Sequence, residues 1–433
     1  MNRIIKLFLI SILISGCSLN KNSKFWTNSK NITEEKNIEF KEIFQKDKKI
    51  NKEFNPNIKI KLTSKSKNNS LDNLLNNTGR LNFNGNLKKS SRYNFSKIDY
   101  FSQYQPEITF FKKNLIFFDN KGSILQFNEK SKLIWKKNYY SKSEKKLKPI
   151  LQFTHNEKYL VVVDNIAKYY LLDIETGELI WSKTNLAPFN SQIKIYEDKF
   201  FVIDLSNTLR CFSLKDGKEL WKLKTENSLI RSQKKLSLVI VNNQIFFINS
   251  LGDLSAVDIN NGSLLWQLPT QSSKIYESSF SLQTSDIISD KKTLFFSNNK
   301  NQFFSVDINT GSFNWENKIN SNLRSILIKD YLITVSLEGL LLIIEKKTGN
   351  IVRATDIFKN YNEKKRNFIQ PTGFLVGLKN IYVSTNIGRL LVVDIETGKT
   401  NSILKIDSER ISKPFVKDNN LFLIKDNSII KLN

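Results

Sequence analysis

Cysteine, histidine and methionine are nearly missing from this chain: two, one and one among 433 residues. With Cys17 directly after an apolar leader and only Cys211 beyond it, the chain has no disulfide framework. His155 stands alone, without the His/Cys cluster that a catalytic or structural transition-metal site requires. Acid is also in short supply, since 41 Asp and Glu face 67 Lys and Arg, a formal charge of +26. Such an excess raises the question of nucleic acid or an anionic membrane. The lysines, however, are scattered over turns and alternating strand faces, which reads as a solvated basic surface, and the leader directs the chain away from nucleic acid. Long apolar runs are absent too. The stretch Leu7–Ile14 follows Arg3 and Lys6 and is too short to cross a bilayer as a permanent helix, so residues 1–16 read as a secretory signal peptide.

What the chain has in quantity is a repeat. Asp173-Ile174-Glu175-Thr176-Gly177-Glu178-Leu179-Ile180-Trp181 reads as a strand end, a tight turn whose glycine takes positive φ, and a second strand holding a large aromatic. The pattern returns from Ser213 through Gly217 to Trp221, from Asp258 through Gly262 to Trp266, and from Asp307 through Gly311 to Trp315. Two later copies keep the turn and lose the Trp: Gly349 is followed by Arg353, and Gly398 by Ser402. An earlier copy, Phe127 to Trp135, keeps the Trp and shortens the turn. The glycines recur at intervals of 38 to 49 residues, the period of solenoids and propellers.

The runs before each turn decide between these two. Tyr159–Asp164 and Lys168–Asp173 are rich in β-branched, aromatic and aliphatic residues and are separated by a short break. With the strand after the turn and one more ahead, such as Ser191–Tyr196, each unit holds four antiparallel strands. That is a propeller blade. Seven turns are visible, and an eighth unit, Ile411–Leu432, ends one strand short. The expected fold is therefore all-β, an eight-bladed β-propeller of four-stranded antiparallel blades spanning residues 91–433. An N-terminal strand near Ser91–Ile98 closes the ring and removes its exposed sheet edges. The Trp of each copy is expected to pack between neighbouring blades, and its Asp to accept from turn amides rather than to do acid–base chemistry. Cys211 reads as a small core residue.

Residues 17–90 have another texture. Polar, low-complexity stretches such as Lys61–Ser70 and Asn84–Ser91 carry too few apolar residues to offset the entropy of ordering, and the stretch reads as a flexible tether. Two pieces of it, Asn57–Leu62 and Arg80–Phe83, are apolar enough to dock on the body or on a partner.

The Asp-x-x-Thr-Gly-x-x-x-Trp units resemble the PQQ-type propeller repeat, and Leu13-Ile14-Ser15-Gly16-Cys17 resembles the bacterial lipobox. Together they make the chain similar to the BamB family of outer-membrane assembly lipoproteins. The resemblance implies cleavage before Cys17, acylation of that cysteine, and a lipid anchor; Ser18 after it implies outer-membrane sorting. It further implies a non-enzymatic, cofactor-free scaffold that sits monomerically in a hetero-complex with BamA, through its POTRA domains, and other BAM subunits. The family's contact loop corresponds to the segment after Trp221, where Leu229, Ile230 and Arg231 stand near the family's apolar and arginine positions and Ser232 replaces a glycine. A second family loop carries paired aspartates; here Ser281–Thr284 has none, and only Asp286 is near. Other envelope proteins share the repeat, so a propeller lipoprotein serving another envelope complex is the alternative reading; quinoprotein dehydrogenases share it too, but they carry an adjacent cysteine pair and calcium ligands that are not recognisable in this sequence.

Overall fold

A computed structural model of the chain describes residues 52–70, 74–99, 101, 106–225, 232, 234–271 and 282–433. Thirty-two strands, β1 to β32, form eight antiparallel sheets of four. Seven blades are simple meanders in chain order, from blade 1 (Thr109–Lys137) through blades 2 (Leu151–Thr184), 3 (Lys194–Lys224), 4 (Leu238–Leu268), 5 (Ile288–Asn317) and 6 (Ile326–Asp356) to blade 7 (Pro371–Lys405). Blade 8 takes three strands from the C-terminus, β30 (Phe415–Lys417), β31 (Asn420–Ile424) and β32 (Ser428–Leu432), and its outermost strand from the N-terminal side, β1 (Lys89–Asn94). Register is set by pairs such as Ser91 with Lys431 and Tyr93 with Ile429. The closing strand starts two residues before the expected one and stops at Asn94. Beyond it Ile98 is buried, its amide donating to the Asp426 carbonyl at 2.7 Å.

Within a blade, burial falls from the axis outward. The inner strand Leu238–Val241 is buried throughout, whereas the outermost strand Leu133–Lys137 shows an exposed or half-buried side chain at every position. Continuous apolar runs are what a strand buried on both faces requires, and these supply the core. Cys211 is among the fully buried residues.

The repeat works as a joint between blades. Asp173 Oδ1 accepts from the amides of Glu175 and Thr176 at 3.0 and 2.9 Å and from the Thr176 hydroxyl at 3.0 Å, and Asp307 repeats the arrangement with Asn309 and Thr310. Each indole then reaches the next blade's turn: Trp181 Nε1 donates to the Leu214 carbonyl at 2.9 Å, Trp221 to Ile259 at 3.2 Å, and Trp315 to Lys346 at 2.9 Å. The same ring covers the turn glycine. Gly262 has a φ of +75°, and a Cβ built on it would lie 2.5 Å from Trp221 Cε3. Glycine is therefore required twice over, for backbone sign and for the close approach of the indole.

Where the Trp is lost at blade 6, Arg353 takes its place. It is wholly buried and donates through Nη2 to the Ile395 carbonyl at 2.9 Å and through Nη1 to Ile58 at 3.0 Å and to Glu396.

Composition assigned residues 17–90 to a tether. Of these, 52–70 and 74–90 lie against the ring as a strap. Phe54 exchanges backbone hydrogen bonds with Ala354 at 3.0 and 2.9 Å, the Ile60 amide donates to Glu396, and the Ser70 amide donates to Val416. Ile60 and Leu62 join the core of blades 6 and 7, and Phe83 packs edge-on to Tyr382 at 5.0 Å. The strap has too few apolar residues to make a core of its own, but these few meet grooves that the ring has already formed.

Candidate site at the propeller axis

The inner strands surround an axial channel, and the strap enters it from one side. Leu74 and Leu75 offer carbonyls to the amides of Ile240 and Ser289 at 2.9 and 3.1 Å. Asn76 follows, fully buried, with Nδ2 within 2.9 to 3.1 Å of Gln192 Oε1, Ser237 Oγ, Leu238 O and Ile287 O. Its Oδ1 accepts from Lys194 Nζ at 2.5 Å. Asn77 then makes a two-way amide pair with the backbone of Leu327 at 3.1 Å in each direction. One residue of strap thus joins blades 3, 4 and 5, and the next joins blade 6.

The approach is from the mouth ringed by the turns at 329–330, 377–379, 396 and 418, since the strap bonds to Glu396, Gly377 and Asp418 there. In an antiparallel meander the connections from one blade to the next leave from the other mouth.

Charge gathers at that second mouth. Glu107 stands two residues before the inner strand of blade 1, and its carboxylate meets Lys235 at 3.1 Å, Arg324 at 3.8 Å, and Lys413. These cations come from the approaches to blades 4, 6 and 8, so one carboxylate is held across the ring. Asp286, before blade 5, takes Arg324 through Nη2 at 2.5 Å and Nε at 2.7 Å. Lys234 points its ammonium at carbonyls, Thr284 O at 2.8 Å and Asn322 O.

Burial and charge work against each other here. Burial pushes both carboxyls up, but the surrounding cations outweigh it and hold Glu107 and Asp286 well below the ordinary carboxylate range. For Lys234 burial prevails: desolvation lowers it to about 8, Asp286 opposing and Lys413, Arg324 and Lys235 reinforcing. A cavity of about 350 Å³ lies between this mouth and the strap, lined by Glu107, Gln192, Lys194, Lys235, Arg324 and Lys413 among others. Among the described residues no group of three or more His, Cys, Asp or Glu is placed to hold a metal ion.

Sequence reasoning did not find this cluster. Its signal was nevertheless present: Glu107, Asp286, Arg324 and Lys413 each stand two residues ahead of an inner strand, and Lys235 three. Their meeting depends on ring closure, which brings residues 107 and 413 together.

The comparisons bear on the ring as a whole. A family model described as "Outer membrane protein assembly factor BamB" matches residues 120–355, more than half of the chain. The chain belongs to this family. The crystal structure of BamB from Moraxella catarrhalis superposes with a TM-score of 0.65 at 16% identity, over 80% of this chain and 99% of that one. A computationally designed protein, Ika8, superposes at 0.59 with 13% identity, over 78% and 99%. At such identities the likeness concerns the fold. No curated protein matches the chain in sequence.

Within this BamB-family ring, Cys17 and the loop residues Leu229, Ile230 and Arg231 lie outside the described residues. The loop's flanks are placed. It leaves blade 3 at Thr225 and returns at Ser232, whose amide donates to Ser250 Oγ at 3.1 Å and whose carbonyl accepts from Asn190 Nδ2 at 2.8 Å. Lys234 and Lys235 follow at once. The described flanks of the expected contact loop, Thr225 and Ser232, therefore stand near Lys234 and Lys235, on the side of the ring from which the blades are connected. Asp286, the one acid near the second family loop, points inward to Arg324.

Proposed function

We propose that this protein is a non-enzymatic scaffold of outer-membrane β-barrel assembly. It is held on the periplasmic face of the outer membrane by acyl chains on Cys17, and it binds the POTRA domains of a BamA partner through the loop carrying Leu229, Ile230 and Arg231. The observation that carries this reading is membership of the BamB family across residues 120–355 of an eight-bladed ring. The described flanks of that loop, Thr225 and Ser232, stand on the side of the ring from which the blades are connected, and this supports the reading as well. A rigid ring that presents loops suits recognition.

The test is recovery of partners from the native envelope with the detergent-solubilised chain. BamA and its companions should co-purify with the wild type. Arg231→Glu should reduce that recovery severalfold, because a reversed charge at an interface anchor costs about 2 kcal/mol or more. Recovery of a different envelope complex, or undiminished recovery with the variant, would remove the assignment or the loop respectively.

A further inference from the structure

Blade 6 has its outer edge covered by the chain itself. Phe54 pairs antiparallel with Ala354 of the outermost strand, Ile351–Asp356, through both backbone hydrogen bonds. The pairing is one residue pair long. Pro56 has no amide for the next outward carbonyl, and Asn55 Nδ2 reaches Val352 O in its place at 3.4 Å. On the other side the Asp356 amide donates to Glu53 Oε1 at 3.1 Å. Under this cover Ala354 is wholly buried, and Ile351 and Val352 are half-buried.

The same edge recurs in blades 1 and 2. Lys136 stands opposite Leu125 and Ser182 opposite Tyr170, as Ala354 stands opposite Leu342, each just past the same register shift. Ala354 directs both backbone groups outward, so the shared register turns those of Lys136 and Ser182 outward too. Among the described residues no backbone hydrogen bond reaches them from outside their sheets. Both side chains are exposed. Beside each lies an aliphatic pair, Leu133 and Ile134 at 50% and 48% exposed, Leu179 and Ile180 at 42% and 46%. Polar residues would serve better on an edge that is to stay unpaired. Blade 4 has such a pair in Leu264 and Leu265, but Pro269 stands where the next outward amide is needed.

We propose that the outer edges of blades 1 and 2 bind extended segments of another polypeptide by strand addition, in the manner that blade 6 binds residues 53–55. The segment's main chain takes the outward amide and carbonyl of Lys136 or Ser182, and its apolar side chains cover the aliphatic pair. Blade 6 also supplies the chemistry of the occupant. Glu53, next to the paired residue, accepts from the following outward amide, and Pro56 ends the pairing. The segment therefore alternates apolar with acidic residues and has no proline. A second copy of the chain fits poorly, because two blade 1 edges would set Lys136 against Lys136. The site does not involve Leu229, Ile230 or Arg231 and stands apart from the partner reading above.

The probe is a fluorescent peptide of about eight residues alternating phenylalanine with glutamate, a typical strand length. Its control is the same peptide N-methylated at every second residue, which keeps the side chains and cannot pair. Titrated with the full chain in detergent, against micelles alone as blank, the anisotropy of the first should saturate at about two peptides per chain, and the control should bind at least about tenfold more weakly. Ser182→Pro removes the outward amide without breaking a bond inside the sheet and should lose one of the two equivalents. Leu179→Glu with Ile180→Glu alters only exposed side chains, should lose the same equivalent, and decides the matter should Ser182→Pro not fold. Melting curves show which variants are folded. No saturable binding, equal binding of the methylated peptide, unchanged stoichiometry in a folded variant, or self-association of the chain that Ser182→Pro abolishes would each overturn the proposal.

Discussion

Lys234 shows how this ring carries a cost at its axis. The ammonium is satisfied by two carbonyls but taken out of water among other cations, and its pKa is pulled down to about 8 from an ordinary 10.5. Below pH 8 it is protonated folded and unfolded, and the desolvation penalty opposes folding in full. Between about 8 and 10.5 the folded state gives up the proton while the unfolded state keeps it, so stability rises with pH. The shift corresponds to about 3 kcal/mol. Lys234→Met should therefore compare most favourably with the wild type near pH 7, and that advantage should shrink toward pH 10. Urea unfolding at the two pH values checks this, and a pH-independent difference would contradict it. Arg353 is a second buried cation at the same scale: its Nη1 and Nη2 donate to carbonyls, burial lowers it too, and it fills the place of a missing Trp.

At the scale of elements, the strap and the inter-blade joint differ in kind. The joint is local chemistry repeated: an Asp that organises a turn, a glycine that admits an indole, and an indole that bonds to the neighbouring turn. The strap is held by a few residues with little order of their own, Asn76 above all. Replacing Asn76 by Ala removes an acceptor of Lys194 and the donor shared among three blades. The local cost should be about 2 kcal/mol for losing buried hydrogen bonds. Because the strap adds to a ring already closed by β1, the variant should keep its propeller and loosen its strap. Limited proteolysis should cut within residues 52–83 far faster than in the wild type, while circular dichroism of the sheets is retained. Equal cleavage rates would show that the strap is held elsewhere, at Arg80, Phe83 or Phe54.

For the whole molecule, closure is the decisive event. The eighth blade is completed only when β1 pairs with β32, across a separation of some 340 residues in the chain. Ser91 and Lys431 face each other in that pairing. Ser91→Cys with Lys431→Cys should form a disulfide under mild oxidation, and the entropy model for so long a loop gives up to about 6 kcal/mol. The oxidised protein should melt higher than its reduced form, and failure to form the bond would place the closing strand in another register.

The fold was legible in the sequence because a propeller repeats its local rules. Gly177, Gly217, Gly262 and Gly311 mark identical turns, each with a Trp four residues on, and the count of turns gives the count of blades. The incomplete last unit announced that an N-terminal strand must finish the ring, and Lys89–Asn94 does so. The strap was only half legible: Ile60, Leu62, Leu81 and Phe83 stood out as sparse apolar residues, but a polar sequence says nothing of a groove formed by other blades. The axial cluster left only a positional trace, a charge two or three residues ahead of an inner strand. Glu107, Lys235, Asp286, Arg324 and Lys413 are scattered over about 300 residues and look like solvated charges on loops. What the sequence determined by itself was everything that repeats with its period: strands, turns, joints and blade number, all set by neighbours within a few tens of residues. What only the tertiary structure decided was what lies on the axis, because a closed ring makes neighbours of residues that no local pattern relates.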